Sequence, residues 1–327
     1  MNTLDVNGLH VTLPGSGERT VLRDVSFSVA PGEALGLVGE SGSGKSMTLK
    51  AALRMLPAAS RTSGTVRFEG DDVYAMDART LRTYRSHRIA MIHQDPRTAV
   101  NPVRSVGDFL TEGLVLTRGI SRREARTRMV KSMAEVGIAD GERRTRQYPH
   151  ELSGGLLQRV VIASALATEP RLLLADEPTT ALDVTTQQEV MAILDTLRRE
   201  RGLAMVFVTH DLDLAAAVTD RVAVMYAGTI VETGPSVDLH HHATHPYTAG
   251  LLRARPVLGA RTRPQPLPGR PISAFETGDG CGFADRCTYA QDVCRSTRPR
   301  LAQVGTHSAA CHRGPELAAT HALETTS

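Results

Sequence analysis

A glycine-rich loop that ends in lysine and serine is the stretch of this chain best suited to chemistry. It occupies residues 39–46, after an apolar run and before helix-forming residues that begin at Met47. Glycine lets such a loop turn its amides inward as a nest for phosphate oxygens, and the helix start adds its positive end. Lys45 would place a full charge near the β- and γ-phosphates, and the Ser46 hydroxyl could ligate Mg²⁺. The pattern predicts a nucleoside triphosphate site made of Gly39, Glu40, Ser41, Gly42, Ser43, Gly44, Lys45 and Ser46.

Two carboxylates occur where a protein with a phosphate-binding loop needs an acidic residue to hold the metal ion. Asp176 ends the apolar run 172–175, and Glu177 follows at once. Because open α/β sheets gather ligand groups at the carboxyl ends of their strands, Asp176 is predicted to hold Mg²⁺. Glu177 could then polarise a water for in-line attack on the γ-phosphate. Gln94 and His210 each follow another apolar strand. Gln94 could touch both the metal and the water, and His210 could contact the γ-phosphate.

A second helix start suited to an anion follows a serine and two glycines. The residues are Leu152, Ser153, Gly154 and Gly155, ahead of an apolar helix at 156–167. Helix N-termini bind anions through free amides and the helix dipole. One protomer would struggle to bring this turn and the lysine loop onto one nucleotide, so we expect a head-to-tail dimer. Each triphosphate would then lie between the lysine loop of one protomer and the serine-glycine turn of the other.

Length and composition bound the class of protein. The chain has 327 residues, 41% of them hydrophobic and none of them Trp, so a mostly aliphatic core in one large or two medium domains is expected. The net charge of +3 is spread along the chain and does not favour a nucleic-acid partner. No apolar run approaches the roughly 18 residues of a membrane span, and the first residues lack the features of a secretory signal. We therefore expect a soluble, cytosolic chain.

Alternating apolar runs and helical patterns predict an α/β fold with a parallel sheet covered by helices. Short strands are expected within 4–38 and at 65–68. A stretch rich in Arg, Glu, Ala and Leu, about 104–168, predicts an inserted helical subdomain whose arginine runs face solvent. A tract rich in Pro and Arg at 253–271 indicates a linker before a small cysteine-containing tail.

The order of these motifs resembles the ATP-binding subunit of an ABC transporter. The resemblance covers about residues 4–255 and rests on the lysine loop, Gln94, the 152–155 turn, the strand ending at Glu177, Ala181-Leu182-Asp183 and His210. It implies a P-loop ATPase core with an antiparallel β subdomain and the helical subdomain, binding ATP and Mg²⁺. It also implies that Glu177 is the catalytic base, His210 the γ-phosphate sensor and Asp183 a dimer-interface residue. Gln94 would link the site to the membrane subunits.

Finer motifs resemble the oligopeptide/dipeptide importer subfamily, which includes nickel and other small-solute importers. They are His93-Gln94-Asp95-Pro96, the run 148–155, His245-Pro246-Tyr247-Thr248 and the cysteine tail. The resemblance implies an ABC domain at 1–255 and an oligopeptide-transporter-type C-terminal region at 256–327. The implied partners are two transmembrane permease subunits, a second ATP-binding subunit of the same or a different chain, and an extracytoplasmic solute-binding protein. The chain would act as a peripheral protein on the cytoplasmic face of the cell membrane.

Two positions depart from the family pattern. Leu156 follows the paired glycines where Gln or Met is usual, although the helix start should survive this change. The family usually stacks adenine on an aromatic residue of the first strand region, whereas 9–13 contains none. His10 or Leu13 must serve instead, or the base is held loosely.

The four cysteines all follow residue 280 and are Cys281, Cys287, Cys294 and Cys311. Clustered thiols in a reducing cytosol favour a metal over disulfides. Zinc ligands usually come in closer pairs, whereas iron–sulfur clusters accept four thiolates at wider spacing. The spacing therefore favours a cluster over Zn²⁺ or four unrelated thiols, and the resemblance implies a [4Fe–4S] cluster. His307 and His312 could be spare ligands, while His240–His242 is expected to be a solvated loop.

The residues and the resemblance together predict the ATP-hydrolysing subunit of an ABC importer for peptides. A nickel or other small-solute importer of the same subfamily is the nearest alternative. Non-transport ABC ATPases carry two cassettes or long coiled-coil insertions, and this sequence shows neither. A redox-sensing regulator built on the cysteine tail is disfavoured by the intact Glu177.

Overall fold

Strands and helices alternate along the chain in a computed structural model that describes residues 1–15, 18–179, 182–255 and 265–324. The strands are β1 Leu4–Leu13, β2 Arg19–Val29, β3 Ala34–Val38, β4 Arg61–Phe68, β5 Asp71–Asp72, β6 Ile89–Ile92, β7 Leu172–Asp176, β8 Ala204–Thr209, β9 Arg221–Tyr226, β10 Thr229–Pro235, β11 Ala302–Val304 and β12 His307–Ala309. Ala181 and much of the predicted linker at 253–271 lie outside the described residues.

The helices run from the lysine loop to the end of the described chain. They are α1 Lys45–Ala52, α2 Ala78–Thr83, α3 Pro96–Ala99, α4 Val106–Arg118, α5 Arg122–Glu135, α6 Gly141–Arg144, α7 Gly154–Ala167, α8 Val184–Arg201, α9 Leu212–Val218, α10 Ser236–His241, α11 Pro246–Ala254, α12 Asp292–Ser296 and α13 Gly314–Glu324. Two compact units result. The first contains Met1–Thr3, Val29–Glu33 and Ala75–Val208, and the second contains Leu4–Ser28, Ala34–Tyr74 and Thr209–Ser327.

In the first unit, β6, β7 and β8 form the expected parallel arrangement. Ile89 to Ile92 pair with Leu172 to Ala175, and Leu172 to Asp176 pair with Ala204 to Val208. Every residue of β7 is buried, as is usual for a strand covered on both faces. Parallel pairing brings the carboxyl ends of these strands to one edge, where the predicted catalytic residues follow.

Helices α4 to α7 occupy the part of the first unit for which an inserted helical subdomain is predicted. Ser105 and Ser121 cap α4 and α5 by accepting hydrogen bonds from amides three residues later. The arginines of α5 make exposed ion pairs, including Arg126 with Glu142 at 2.8 Å. The arginine-rich face is therefore solvated, as predicted.

The second unit holds an antiparallel sheet and a mixed set of strands. The order of the antiparallel sheet is β2-β1-β4-β5, and β1 pairs with β4. In the mixed set, β3 is parallel to β9, β9 is antiparallel to β10, and β10 pairs with β12. The fold is thus α/β with an antiparallel β subdomain, as expected.

The region after Ser236 contains more regular structure than its weak pattern predicts. Buried Glu232 on β10 accepts hydrogen bonds from the amides of Thr244, at 2.7 Å, and His245, at 3.1 Å. Its carboxylate also lies 3.2 Å from His307 on β12. One buried carboxylate therefore ties three separate segments together. The domain boundary at 255/256 remains a prediction.

Among the described residues, no helix is both long and apolar enough to span a membrane.

Candidate functional site

The lysine loop connects the fully buried strand β3 to helix α1, as its sequence predicts. Helix α1 begins at Lys45 and ends at Ala52, so it starts earlier and stops sooner than the expected helix from Met47 to Leu56. Gly44 caps the helix with a φ of 107°, a left-handed conformation that favours glycine. The helix N-terminus therefore opens directly onto the loop, the arrangement that binds phosphate.

Lys45 lies inside the loop rather than in solvent. Its side chain is buried, and Nζ donates to the carbonyl oxygens of Gly39, at 2.7 Å, and Glu40, at 3.0 Å. The buried Ser43 Oγ has no hydrogen-bond partner among the described residues. Ser46, the second residue of α1, is exposed. The loop thus presents a cation and hydroxyl groups suited to phosphate and its metal.

Glu40 is held through both its amide and its carboxylate. Its amide donates to Tyr247 Oη at 2.8 Å. Its carboxylate accepts two hydrogen bonds from the Arg286 guanidinium, at 2.7 and 3.1 Å. The Arg286 side chain is 6% exposed and lies over the rings of Tyr226 and Phe283. A paired, bidentate contact of this kind fixes geometry as well as charge.

The carboxyl end of β7 places Asp176 and Glu177 as predicted. Asp176 is buried, at 8% exposure. Glu177 takes a left-handed backbone with φ 45°, and its amide donates to Val208 O at 3.0 Å. Gln94, which follows β6, donates from Nε2 to Glu177 Oε2 at 3.1 Å. The structure therefore brings together Gln94 and Glu177, the predicted metal and water ligands.

His210 follows β8 directly and is exposed. The next residue, Asp211, caps α9 by accepting from the amides of Asp213 and Leu214. This cap fixes the direction in which the chain leaves the strand at His210.

The serine-glycine turn forms a capped helix start despite Leu156. Ser153 Oγ accepts from the Leu156 amide at 3.3 Å, and α7 begins at Gly154. A Cβ atom at Gly155 would lie 2.6 Å from Thr186 Cγ2, whereas one at Gly154 would meet nothing within 4 Å. Gly155 is thus required for close packing on α8, and Gly154 leaves the turn open.

Asp183 caps α8 and is linked to the turn through Thr186. Its Oδ1 accepts from the Thr186 amide at 3.0 Å, and its Oδ2 accepts from Thr186 Oγ1 at 2.9 Å. The amide hydrogen bond from Thr186 lowers the pKa of Asp183, so the carboxylate is ionised at neutral pH. Sequence reasoning missed Thr186, whose only signal was its place three residues after a capping aspartate.

The four cysteines are free, partly buried and line one small cavity. Burial raises the pKa of Cys281 and Cys287, and raises that of Cys311 to about 11. Within the described parts of the chain, no three His, Cys, Asp or Glu side chains form a group that could hold a single metal ion. His312 also lines the cavity and lies 2.9 Å from Thr297 O.

The other histidines have structural partners. His307 Nε2 lies 2.8 Å from Thr244 Oγ1 and also contacts Glu232, and His307 is not among the residues that line the cysteine cavity. His240 and His241 end helix α10, and His242 follows them. Nε2 of His240 lies 2.7 Å from Arg255 Nη1.

Two protein families match this chain. The ABC transporter family matches residues 22–180, and the oligopeptide/dipeptide transporter C-terminal region matches residues 231–294. A putative peptide import ATP-binding protein of Brucella ovis is 42% identical, over 97% of this chain and 98% of that protein. The oligopeptide transport ATP-binding protein OppD of Salmonella typhimurium is also 42% identical, over 90% of this chain and 89% of its own.

Solved structures show the same cassette fold. A dimeric ATP-binding cassette in a post-hydrolysis state, bound to ADP and Pi, superposes with a TM-score of 0.64 at 28% identity. The match covers 71% of this chain and 98% of that one. The protein cbiO1 of Clostridium perfringens, part of the ABC transporter complex cbiONQ, matches with a TM-score of 0.63 at 26% identity, over 73% of this chain and 90% of its own.

The family match and the cassette fold, with the lysine loop and the carboxylates of Asp176 and Glu177, define an ABC-type ATPase. This confirms the expected enzyme class. Within that class, the chain belongs to the oligopeptide/dipeptide transporter family of ATP-binding proteins.

Tyr247 and Arg286 are the contacts of the lysine loop that sequence reasoning missed. Tyr247 stood within a family motif, and Arg286 directly precedes Cys287. Neither pattern indicates a contact with residue 40, because the partners are more than 200 residues apart.

Proposed function

We propose that this chain is the ATP-hydrolysing subunit of an ABC importer for oligopeptides or dipeptides. The observation that carries the proposal is the pairing of an ABC ATPase cassette with an oligopeptide/dipeptide transporter C-terminal region in one chain. The relatives at 42% identity, named for peptide import and oligopeptide transport, support the same conclusion over almost the full length.

Each predicted residue has a role in this proposal. The loop from Gly39 to Ser46 binds the triphosphate through its amides and Lys45. Ser46, Gln94 and Asp176 supply the hydroxyl, amide and carboxylate oxygens that suit Mg²⁺, which when bound offsets phosphate charge. Glu177, held by its hydrogen bond from Gln94, takes a proton from the attacking water. His210 contacts the γ-phosphate.

A second ATP-binding subunit completes the site in this proposal. The turn from Leu152 to Gly155 acts on the partner's ATP through its open amides at Gly154, and Asp183 lies at the interface. The open space above Gly154 and the exposure of Ser153 support this role, because an anion can reach the helix start. Two permease subunits and an extracytoplasmic solute-binding protein form the rest of the complex, with this chain on the cytoplasmic face of the membrane.

Substitution of the proposed base tests the hydrolytic role. We expect Glu177→Gln to lower ATP turnover by about 100-fold or more, the usual scale for loss of a general base. ATP binding should persist, and an ATP-bound dimer should accumulate in size-exclusion chromatography. Glu18→Gln is the matched control, since Glu18 makes an exposed ion pair with Arg61. Undiminished turnover in Glu177→Gln contradicts the assignment.

Uptake measurements distinguish the transported solutes. Cells that lack this chain should lose uptake of labelled di- and oligopeptides and recover it when the chain is restored. Loss of nickel uptake with normal peptide uptake would favour the small-solute alternative. Failure to co-purify with two multispanning membrane proteins would contradict any transport role.

We also propose that Cys281, Cys287, Cys294 and Cys311 hold a [4Fe–4S] cluster. The four thiols fit this group because all of them line one cavity, and thiolates are the usual ligands of such clusters. The pKa of three of the thiols is raised by burial, so ligation must displace their protons.

Spectroscopy of the purified protein tests the cluster. Anaerobically purified protein should be brown, with broad visible charge-transfer absorption, and Cys294→Ser should lose it. Ser296→Ala, in the same helix, should keep the colour. Colourless protein with stoichiometric zinc contradicts the cluster.

A further inference from the structure

The adenine of ATP needs a contact that the first strand region does not supply. No aromatic residue occurs in 9–13. Leu13 is the last residue of β1. His10 lines a cavity together with Arg23 and Arg298, and no described residue of the lysine loop lines that cavity. The aromatic ring for the base must therefore be sought elsewhere in the second unit.

One short turn of the C-terminal region borders the lysine loop and also a residue that is hydrogen-bonded to the loop. A Cβ atom at Gly42 would lie 3.7 Å from Ser273 Oγ. A Cβ atom at Gly228, whose amide donates to Ser43 O at 2.9 Å, would lie 2.6 Å from Ala274 Cβ. The turn is held rigidly, because Glu276 accepts from the Ser273 amide at 2.8 Å.

The next residue of this turn, Phe275, exposes its ring. Ala274 is 1% exposed, whereas Phe275 is 47% exposed. The guanidinium carbon of Arg19, at the start of β2, lies 5.5 Å from the ring centroid. One face of the ring thus contacts a flat cation, at a position that a flat base can take when Arg19 moves away. Arg19 is itself exposed, so its side chain can move to admit a base.

We propose that Phe275 is the platform on which the adenine of ATP stacks when the triphosphate occupies the lysine loop. The inference rests on the ATPase function above and adds the residue that recognises the base. Phe275 belongs to a turn of the C-terminal region and not to the first strand region.

Comparison of two ligands tests this role. In a Glu177→Gln background, calorimetric titration would measure binding of Mg-ATP and of Mg-tripolyphosphate, which has the phosphates but no base. We expect Phe275→Ala to weaken ATP binding by about five- to tenfold, the usual scale of a lost stacking contact. Binding of tripolyphosphate should be unchanged, and Phe275→Tyr should restore ATP binding.

The control is Leu301→Ala, because Leu301 is 40% exposed in the same C-terminal region. It should leave the affinity for both ligands unchanged. Equal ATP affinity in Phe275→Ala and the parent protein would overturn the proposal, as would a parallel loss of tripolyphosphate binding. If Phe275→Ala does not fold, Phe275→Leu against Phe275→Tyr makes the same comparison. Absence of ATP binding in the parent protein would instead contradict the ATPase function itself.

Discussion

Glu177 combines a backbone conformation that costs energy with a carboxylate held by a neighbour. A non-glycine residue in the left-handed region costs about 1 kcal/mol or more, and such strain persists where the surroundings enforce it. Here the amide bond to Val208 and the hydrogen bond from Gln94 hold the residue in place. The residue type could be predicted from the motif, whereas its backbone angle could not, since it depends on pairing with β8.

Gly155 and Gly154 look alike in the sequence but differ in the space around them. We expect Gly155→Ala to lower the free energy of unfolding by about 1–3 kcal/mol, because its methyl group would overlap Thr186. The stiff Thr186 side chain is also bonded to Asp183, so it cannot move freely. Urea unfolding would measure the change.

Gly154→Ala is the matched control for this stability measurement. Its methyl group meets open space, so the free energy of unfolding should stay unchanged or rise by up to about 1 kcal/mol. Equal destabilisation by both substitutions would show that the contact with Thr186 does not explain the need for glycine.

At the scale of elements, the lysine loop depends on segments far from it in the chain. Tyr247 on α11 and Arg286, next to the cysteines, hold the amide and carboxylate of Glu40. A loop held in this way before ATP binds loses less entropy on binding. The region after 265 therefore supports the nucleotide loop as well as carrying the cysteines.

Arg286→Met should remove this support while keeping the apolar stem over Tyr226 and Phe283. We expect the free energy of unfolding to fall by about 3 kcal/mol, because a partly buried carboxylate is left unpaired. ATP affinity should fall several-fold in calorimetry.

Arg295→Met provides the comparison, since Arg295 and Asp285 are 60% and 86% exposed. This substitution should lower the free energy of unfolding by less than about 1 kcal/mol, as is typical for the loss of a surface ion pair. If Arg286→Met and Arg295→Met bind ATP equally well, the contact with Glu40 does not position the loop.

Long periodic elements could be predicted from the sequence, and short paired ones could not. The apolar spacing predicts a helix at 184–201 and a strand at 221–226, and helix α8 and strand β9 have these bounds. Strands β11 and β12 have three residues each and pair with each other, and β12 also pairs with distant β10, where Glu232 faces Ala309. No local pattern can encode such a pairing. The loop and strand-end motifs were likewise predictable, whereas the contacts of Tyr247 and Arg286 required the fold.

At the scale of the whole molecule, a buried histidine makes stability depend on pH. Burial lowers the pKa of His245 to about 4. Its Nδ1 accepts from the Tyr247 amide at 3.1 Å, which requires the unprotonated nitrogen. Between pH of about 6.5 and 4 the unfolded chain binds a proton here that the folded chain does not. Acid in this window therefore favours unfolding.

As the pH is lowered through this window, we expect the contribution of His245 to the free energy of unfolding to fall by up to about 1.4 kcal/mol per pH unit. His245→Asn, whose oxygen can accept the same amide, should show a shallower slope in urea unfolding at pH 5 and 6. The hydrogen bond with Glu232 raises the pKa of His307. The contribution of protonated His307 to stability is therefore lost at higher pH, as the pH rises through the raised value. Parallel slopes for the parent and His245→Asn would contradict this account.

The contact between Glu40 and Arg286 joins residues 246 positions apart. A ribosome adds about 5–20 residues per second, so the arginine is made roughly 10–50 seconds after the glutamate. Because Tyr247 lies 207 positions after Glu40, the nascent nucleotide loop lacks both of its supports for most of that interval. The newly made chain therefore acquires its finished loop only after Arg286 has been made.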